Sequence, residues 1–434
     1  MRIKNLLFLF ILTLTMVSCS SDDNSTPILQ TGANEFTGIS AEGTTLSVNI
    51  ESSSSWTGTS TASWISLNPS PDKSKLEITI SENLNRDERT ATILVSNSEN
   101  MSQTITIQQD AYTYSENHHY KLPVVFHCLY WRESSEQFYI RAGYLKKVID
   151  GVNKLYQSCG TPINFEFVMA TEDPEGNKLE EPGVSREKYG YVQMDAQEFM
   201  KGSKPEYKEM LWDPNKYINI MLFEFTNEGV MGISQFPLLP EPYTLDGLTT
   251  VDKGANFNDN KYPQCVCINN KYIYDMPENG EYIMSNIVLT VAHELGHLLG
   301  LYHAFNQNPK TGSSDYDLDS DFCTDTPPYN KAQYDVKLTT FLSNGGDLND
   351  KSQYEIYVMR TNSDTGEEFR STNVMDYAVT DGNTFSAQQM ARVKYVLQHA
   401  VFIPGPKDYT NTDIVIKSSR GTSSSYRFEP HFIE

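Results

Sequence analysis

Apolar and polar positions alternate with period two in four short stretches near the start of the chain, at residues 46–50, 76–80, 91–95 and 104–108, with Ser, Asn, Pro and Asp between them. Such alternation predicts strands with one apolar face. Strands this short must bury that face against a second sheet, so residues 33–111 are expected to form an antiparallel sandwich of immunoglobulin type. Beyond residue 120 the pattern changes. Stretches at 122–129, 163–168 and 218–225 read as strands, while Leu145, Val148, Ile149 and Val152 form the apolar stripe of a helix over 142–156. A second stripe, Ile287, Val288, Val291, Leu295, Leu298 and Leu299, predicts a helix with Ser285 or Asn286 as N-cap. This order of elements predicts a separate α+β domain, a twisted mixed sheet with helices on one side. The fold class is thus multidomain, an all-β sandwich followed by an α+β domain. His127, inside the first of the later strands, is expected to be structural, and His118 and His119 to be linker residues.

The first residues carry a different pattern. Arg2 and Lys4 precede an apolar run over 6–17 broken only by Thr13 and Thr15, and Ser18 and Cys19 follow. About 12 apolar residues fall short of the ~20 that cross a bilayer, so residues 1–18 read as a signal peptide. Small or apolar residues before a Cys, then a polar stretch, resemble a bacterial lipobox. That resemblance implies lipidation of Cys19, a tether over 19–32, and anchoring in the outer membrane. Asp22 and Asp23 just after the Cys resemble a surface-export signal, so exposure at the cell surface is expected. The 434-residue chain carries 34 Lys plus Arg against 56 Asp plus Glu, a formal charge of -22, which argues against a nucleic-acid partner. Its length suits two or three domains, and its six cysteines are too few for a disulfide scaffold.

Chemistry concentrates on this second helix and the residues just after it. His293 and His297 lie four residues apart, hence on one helix face about one turn apart, so both imidazoles can reach one zinc ion. Glu294, offset from that point, is placed to take a proton from an attacking water and pass it to a leaving amine. Gly300 can adopt positive φ, end the helix and turn His303 toward the same ion. Three neutral imidazoles leave a fourth position open, as catalytic zinc sites do. Downstream, residues 371–377 read Ser-Thr-Asn-Val-Met-Asp-Tyr. His-Glu-x-x-His-x-x-Gly-x-x-His with a later Met-turn is the metzincin pattern. Met375 is then the hydrophobic floor beneath the imidazoles, and Tyr377 a candidate for the metal or the developing oxyanion.

Over most of residues 120–402 the chain resembles the pappalysin family. Besides the zinc helix, the resemblance rests on Leu122-Pro-Val-Val-Phe-His127, Thr161-Pro-Ile-Asn-Phe165, Tyr217-Ile-Asn-Ile220, Met231-Gly-Ile-Ser-Gln-Phe-Pro237, Asp246-Gly-Leu248, Cys323-Thr-Asp-Thr-Pro327 and Asn373-Val-Met-Asp-Tyr377. It implies a metzincin catalytic domain over 120–403, a zinc endopeptidase usually with bound calcium, and a protein or peptide substrate extended along an edge strand near residues 231–236. Asp325 and Thr326 are the calcium ligands it favours, and the acids Asp315, Asp317, Asp319 and Asp321 crowd the same loop. Asp381, six residues past Met375, is expected in the substrate pocket, where a carboxylate would favour Arg or Lys on the primed side. The family's disulfide partner after the Met-turn is missing, so Cys323 is left with Cys265, Cys267 or no bridge, and Cys128 with Cys159 is a second candidate pair. Residues 329–370 match the family poorly and read as an insertion. The tail over 404–434 suggests one strand, at 413–417.

Trp56, Trp64, the Asn-Arg-x-x-Arg-Thr-Ala-Thr run over 85–92 and the closing Ile-Thr-Ile-Gln-Gln over 105–109 resemble the BACON module. This implies a spacer or binding arm over 33–111, joined by a linker at 112–119, in which the tryptophans either stack on a carbohydrate or fill the sandwich core. The rival to an enzyme is a glycan- or protein-binding surface lipoprotein that keeps a metalloprotease fold without turnover.

Overall fold

The computed structural model describes residues 26–83, 87–112, 118–158, 163–190, 193–260, 262–277, 285–305, 321–377 and 379–409. Cys19, Cys159, Asp315, Asp317, Asp319 and the strand expected at 413–417 lie outside the described residues. The chain divides into two compact units, Met1–Thr113 and Tyr114–Glu434.

In the first unit the strands are β1 (Leu29–Thr31), β2 (Glu35–Ile39), β3 (Thr44–Ser52), β4 (Trp56–Thr59), β5 (Ile65–Pro69), β6 (Lys75–Ile80), β7 (Arg89–Asn97) and β8 (Ser102–Gln109). They form two four-stranded sheets, ordered β1-β3-β6-β5 and β2-β8-β7-β4. The four stretches with strict alternation are the centres of β3, β6, β7 and β8. Val48, Leu76, Ile78 and Ile80 from one sheet and Ile93, Val95, Ile105 and Ile107 from the other form one buried cluster. Each such side chain contributes roughly 1.5–3 kcal/mol by leaving water. Trp56 is 4% exposed within this cluster and donates its indole N–H to the Lys73 carbonyl at 2.8 Å. Trp64 is partly buried, and the Arg89 guanidinium lies 4.3 Å from its ring centre. Of the two ways to use the tryptophans, Trp56 is spent on the core.

The second unit opens with β9 (Tyr120–Tyr130), α1 (Tyr144–Ser158), β10 (Phe165–Met169), β11 (Val184–Lys188) and β12 (Gln193–Met194). Two short helices follow, α2 (Ala196–Met200) and α3 (Pro205–Glu209), then β13 (Ile218–Phe225), β14 (Gly232–Ser234), β15 (Leu238–Pro240), β16 (Thr249–Val251) and β17 (Val266–Asn269). The C-terminal part contains α4 (Ile287–Leu298), α5 (Lys331–Ser343), α6 (Lys351–Tyr357), β18 (Met359–Thr361), β19 (Glu368–Arg370) and α7 (Ala387–His399).

The main sheet runs β10-β9-β13-β17-β14, with β11 and β12 added beside β9 and β13. All its pairings are parallel except β14 with β17. Central strand β13 is apolar on both faces, the expected pattern where helices cover both sides. Ile218, Ile220 and Leu222 share a core with α1, α4 and α7 residues. Met221, Phe223 and Phe225 instead pack with Phe199, Met200 and Tyr207 of α2 and α3. The expectation of helices on one side is therefore corrected: two helices of five residues each, too short to show periodicity, cover the second face.

α1 packs directly on α4. Tyr156 donates its hydroxyl to the Ala292 carbonyl at 3.0 Å, and Gly151 leaves room for Val288, whose Cγ1 would lie 2.8 Å from an added Cβ. His127 is fully buried and its Nε2 lies 2.9 Å from Asn219 Oδ1, a core contact remote from the other histidines. Segment 329–370, read as an insertion with loop punctuation, holds two helices and the β18–β19 hairpin around a cluster of Tyr334, Leu338, Leu348 and Val358. Cys128, Cys265 and Cys267 carry free, buried thiols. Neither Cys265 nor Cys267 therefore bridges to Cys323, and the expected Cys128–Cys159 bridge is absent. This corrects the second candidate pair and removes two of the three alternatives read for Cys323.

Candidate metal centre and active site

α4 begins at Asn286, whose side chain accepts from the backbone N–H of Val288 at 3.0 Å and of Leu289 at 3.4 Å. It ends at Leu298, with Gly300 closing it as the sequence suggests. The Leu301 N–H donates to the Gly296 carbonyl and the Gly300 N–H to the His297 carbonyl, both at 2.9 Å. This pair of bonds is a Schellman cap, with Gly300 at φ +90° in the left-handed position that it requires. Arg392 of α7 holds the turn by donating to the Gly300 carbonyl from Nε at 3.2 Å and from Nη2 at 3.1 Å, and Nη2 also reaches the Asp246 carbonyl at 2.9 Å. The reversed chain then delivers His303.

The Nε2 atoms of His293, His297 and His303 form a triangle with all three sides 3.1 Å. Each residue is buried. His293 Nδ1 lies 2.8 Å from the Val374 carbonyl and His297 Nδ1 2.7 Å from the Leu301 carbonyl. A carbonyl oxygen can only accept, so these two Nδ1 atoms carry protons and, in the neutral rings, both Nε2 atoms present lone pairs. Burial holds both rings neutral, pushing His293 down to about 4 and His297 well below the ordinary imidazole range. Lone pairs facing one another at this spacing repel unless a cation lies between them. The donor set therefore fits a divalent ion of zinc type, and among the described residues it is the one group of three or more His, Cys, Asp or Glu side chains close enough to hold one.

Glu294 is 5% exposed, and Ser234 of β14 donates its hydroxyl both to Oε2 at 2.7 Å and to the Glu294 carbonyl at 2.8 Å. Burial pushes this carboxyl up to about 8, against the opposing pull of the Ser234 hydroxyl. Gly232 supplies the space: a Cβ there would lie 2.5 Å from Glu294 Cγ. Both residues fall in the stretch 231–237 that had been read only as the edge strand, and β14 does end the sheet. The short run Gly-x-Ser beside the edge was the available signal for their contact with Glu294.

Met375 is fully buried under α4, and a Cβ on Gly296 would lie 2.5 Å from its sulfur. Its carbonyl accepts from the Ala304 N–H at 3.0 Å, tying the Met-turn to the residue after His303. The Tyr377 ring centre lies 4.3 Å from that of His303 and 5.4 Å from that of His293, and Phe305 stacks on His303 at 4.6 Å. The structure thus gathers the three histidines, Glu294, Met375 and Tyr377 in one place.

It does not gather the others. Asp381 accepts from Arg370 Nε at 2.6 Å and Nη2 at 3.1 Å, and from the Tyr354 hydroxyl at 2.9 Å. Its carboxylate already has a resident cation, so the expected preference for Arg or Lys substrates is not retained. Asp325 accepts from the Gln388 N–H at 3.0 Å near the start of α7, and Thr326 donates its hydroxyl to Asp321 and to the Cys323 carbonyl. Calcium, expected at these two residues, finds no cluster of acids among the described residues.

Residues 202–398 match the family described as pregnancy-associated plasma protein-A, a peptidase family, and residues 54–110 match the BACON family, described as an N-terminal binding domain. No curated protein matches the chain. Among solved structures, it is similar to a Bacteroides ovatus GH5 xyloglucanase in complex with a XXXG heptasaccharide, at 12% identity and TM-score 0.18, covering 47% of this chain and 39% of that one. It is also similar to the BIgI domain of beta protein from S. agalactiae bound to CEACAM1, at 21% identity and TM-score 0.16, covering 20% of this chain and 100% of that one. Neither likeness carries weight for function. The segment with α4, its histidines and the Met375 turn is a different matter: it lies within the residues 202–398 that match the zinc-dependent pregnancy-associated plasma protein-A family of metallopeptidases, in one chain with a match to the BACON family.

Proposed function

We propose that the second unit is a zinc endopeptidase. The observation that carries this reading is the convergence of three buried Nε2 atoms at 3.1 Å beside a carboxylate fixed by Ser234. When bound there, zinc supplies Lewis acidity that polarises a peptide carbonyl and acidifies a water molecule. Glu294 takes the attacking water's proton on the carboxylate and returns it to the leaving amine nitrogen. The Ser234 hydroxyl holds that carboxylate in one orientation while leaving Oε1 for the proton. Tyr377 offers its phenol to the oxyanion. An extended peptide pairs with the outer edge of β14, which brings its scissile bond alongside Glu294.

A zinc-loaded Glu294→Gln chain tests the assignment. Cleavage of casein is expected to fall by about a thousandfold with one zinc per chain retained. Equal cleavage by variant and native chain overturns the catalytic role. Loss of zinc together with activity would show that Glu294 holds the site together instead.

The same proposal anchors the chain in the outer membrane through lipidated Cys19 and leaves residues 54–110 as a binding arm for carbohydrate or protein at the cell surface. Cys19→Ser should abolish labelling by a radioactive fatty acid. Calcium enters this reading only through the acids at 315–321, and a calcium titration of thermal stability tests it. No observation favours the rival of a binding protein without turnover.

A further inference from the structure

Arg360 of β18 belongs to the segment outside the zinc helix and touches none of the three histidines, yet its guanidinium is fully buried. Nη2 donates to the carbonyls of Tyr377 at 3.2 Å and Val379 at 2.9 Å, and Nη1 to that of Tyr357 at 2.8 Å. Nη2 also lies 3.3 Å from Asp376 Oδ2. Asp376 accepts the Tyr377 N–H at 2.7 Å and the hydroxyls of Tyr329 and Ser371. The guanidinium carbon lies 3.7 Å from the ring centre of Tyr334 and 5.1 Å from that of Tyr329.

A buried ion pair is weak evidence for stability, because desolvation offsets its attraction and well-packed apolar residues serve the core as well or better. What apolar residues cannot do is hold two carbonyls and an amide in register. These two side chains grip the backbone of Tyr377 from both ends, its N–H through Asp376 and its carbonyl through Arg360. The ring they fix lies against His303 and His293.

We propose that Arg360 is a positioning residue that sets the Tyr377 phenol at the three-histidine centre, so that the α5–β19 segment is part of the active-site support. This rests on the reading of Tyr377 as a participant in peptide cleavage.

A double-mutant cycle on the full zinc-loaded chain, using a quenched fluorescent peptide taken from a mapped casein cleavage site, tests it. Tyr377→Phe and Arg360→Lys are each expected to lower kcat about tenfold, with KM within about twofold of native, and the double variant to match Tyr377→Phe within about twofold. Zinc content stays at one per chain in all of them. If Arg360→Lys costs the same factor in both backgrounds, or nothing in either, the positioning role is overturned while that of Tyr377 stands. Native kcat in Tyr377→Phe overturns both. Should Arg360→Lys fail to fold, Asp376→Asn replaces it in the cycle with the same expected pattern.

Discussion

His293 and Tyr377 lie within one site but arrive there by unlike routes. His293 and His297 meet because a helix repeats its face every four residues, and His303 joins them through a glycine cap three residues past the second ring. Tyr377 stands on irregular chain after the Met-turn, and its place is fixed by a buried arginine 17 residues earlier in sequence and an aspartate next to it. The first kind of geometry is local and robust. The second is assembled from distant pieces, so it is open to tuning by a segment that never touches the metal.

That contrast can be broken most forcefully on the local side. His297→Ala removes one vertex of the triangle, and zinc binding measured by mass spectrometry should vanish, with peptide cleavage down at least about a thousandfold. Retained zinc at native stoichiometry would mean that the triangle is not the site. A smaller loss, about a hundredfold in kcat, is expected for Gly232→Ala, because the new methyl meets Glu294 Cγ at 2.5 Å. Here zinc should stay, which separates the base from the ligands. Gly300→Ala should be milder still. Its φ of +90° and the 2.8 Å approach to Val396 strain the cap, so thermal unfolding should show a loss of about 1–2 kcal/mol, with zinc affinity reduced about tenfold. At the far end of the scale, Trp56→Ala should cost the first unit about 3–5 kcal/mol and leave kcat unchanged. A drop in kcat would show that the sandwich bears on catalysis.

Much of this was legible because it is periodic. The alternation at β3, β6, β7 and β8 and the stripe on α4 need only neighbours in sequence to be read. Where periodicity fails, so does the reading. β4 and β2 contain glycine and little alternation, α2 and α3 are a single turn or so each, and all were missed. The end of α4 is an exception: apolar residues continue past it, but Gly300 marks the cap that the backbone bonds make. Partners set by tertiary contact were the hardest. Asp381 carries the same charge whether it faces solvent or Arg370, and only the fold decides between them. Arg360 has no motif of its own, and Gly232 and Ser234 lie in a quoted motif whose contact with Glu294 only the fold reveals.

The central claim, one ion held by three imidazoles and required for peptide cleavage, is tested most directly by titrating zinc into the metal-free chain while following hydrolysis of a fluorescent peptide. Activity should rise in proportion to added zinc and level off at one ion per chain. Full hydrolysis before any zinc is added, or none at saturation in a folded chain, would contradict it.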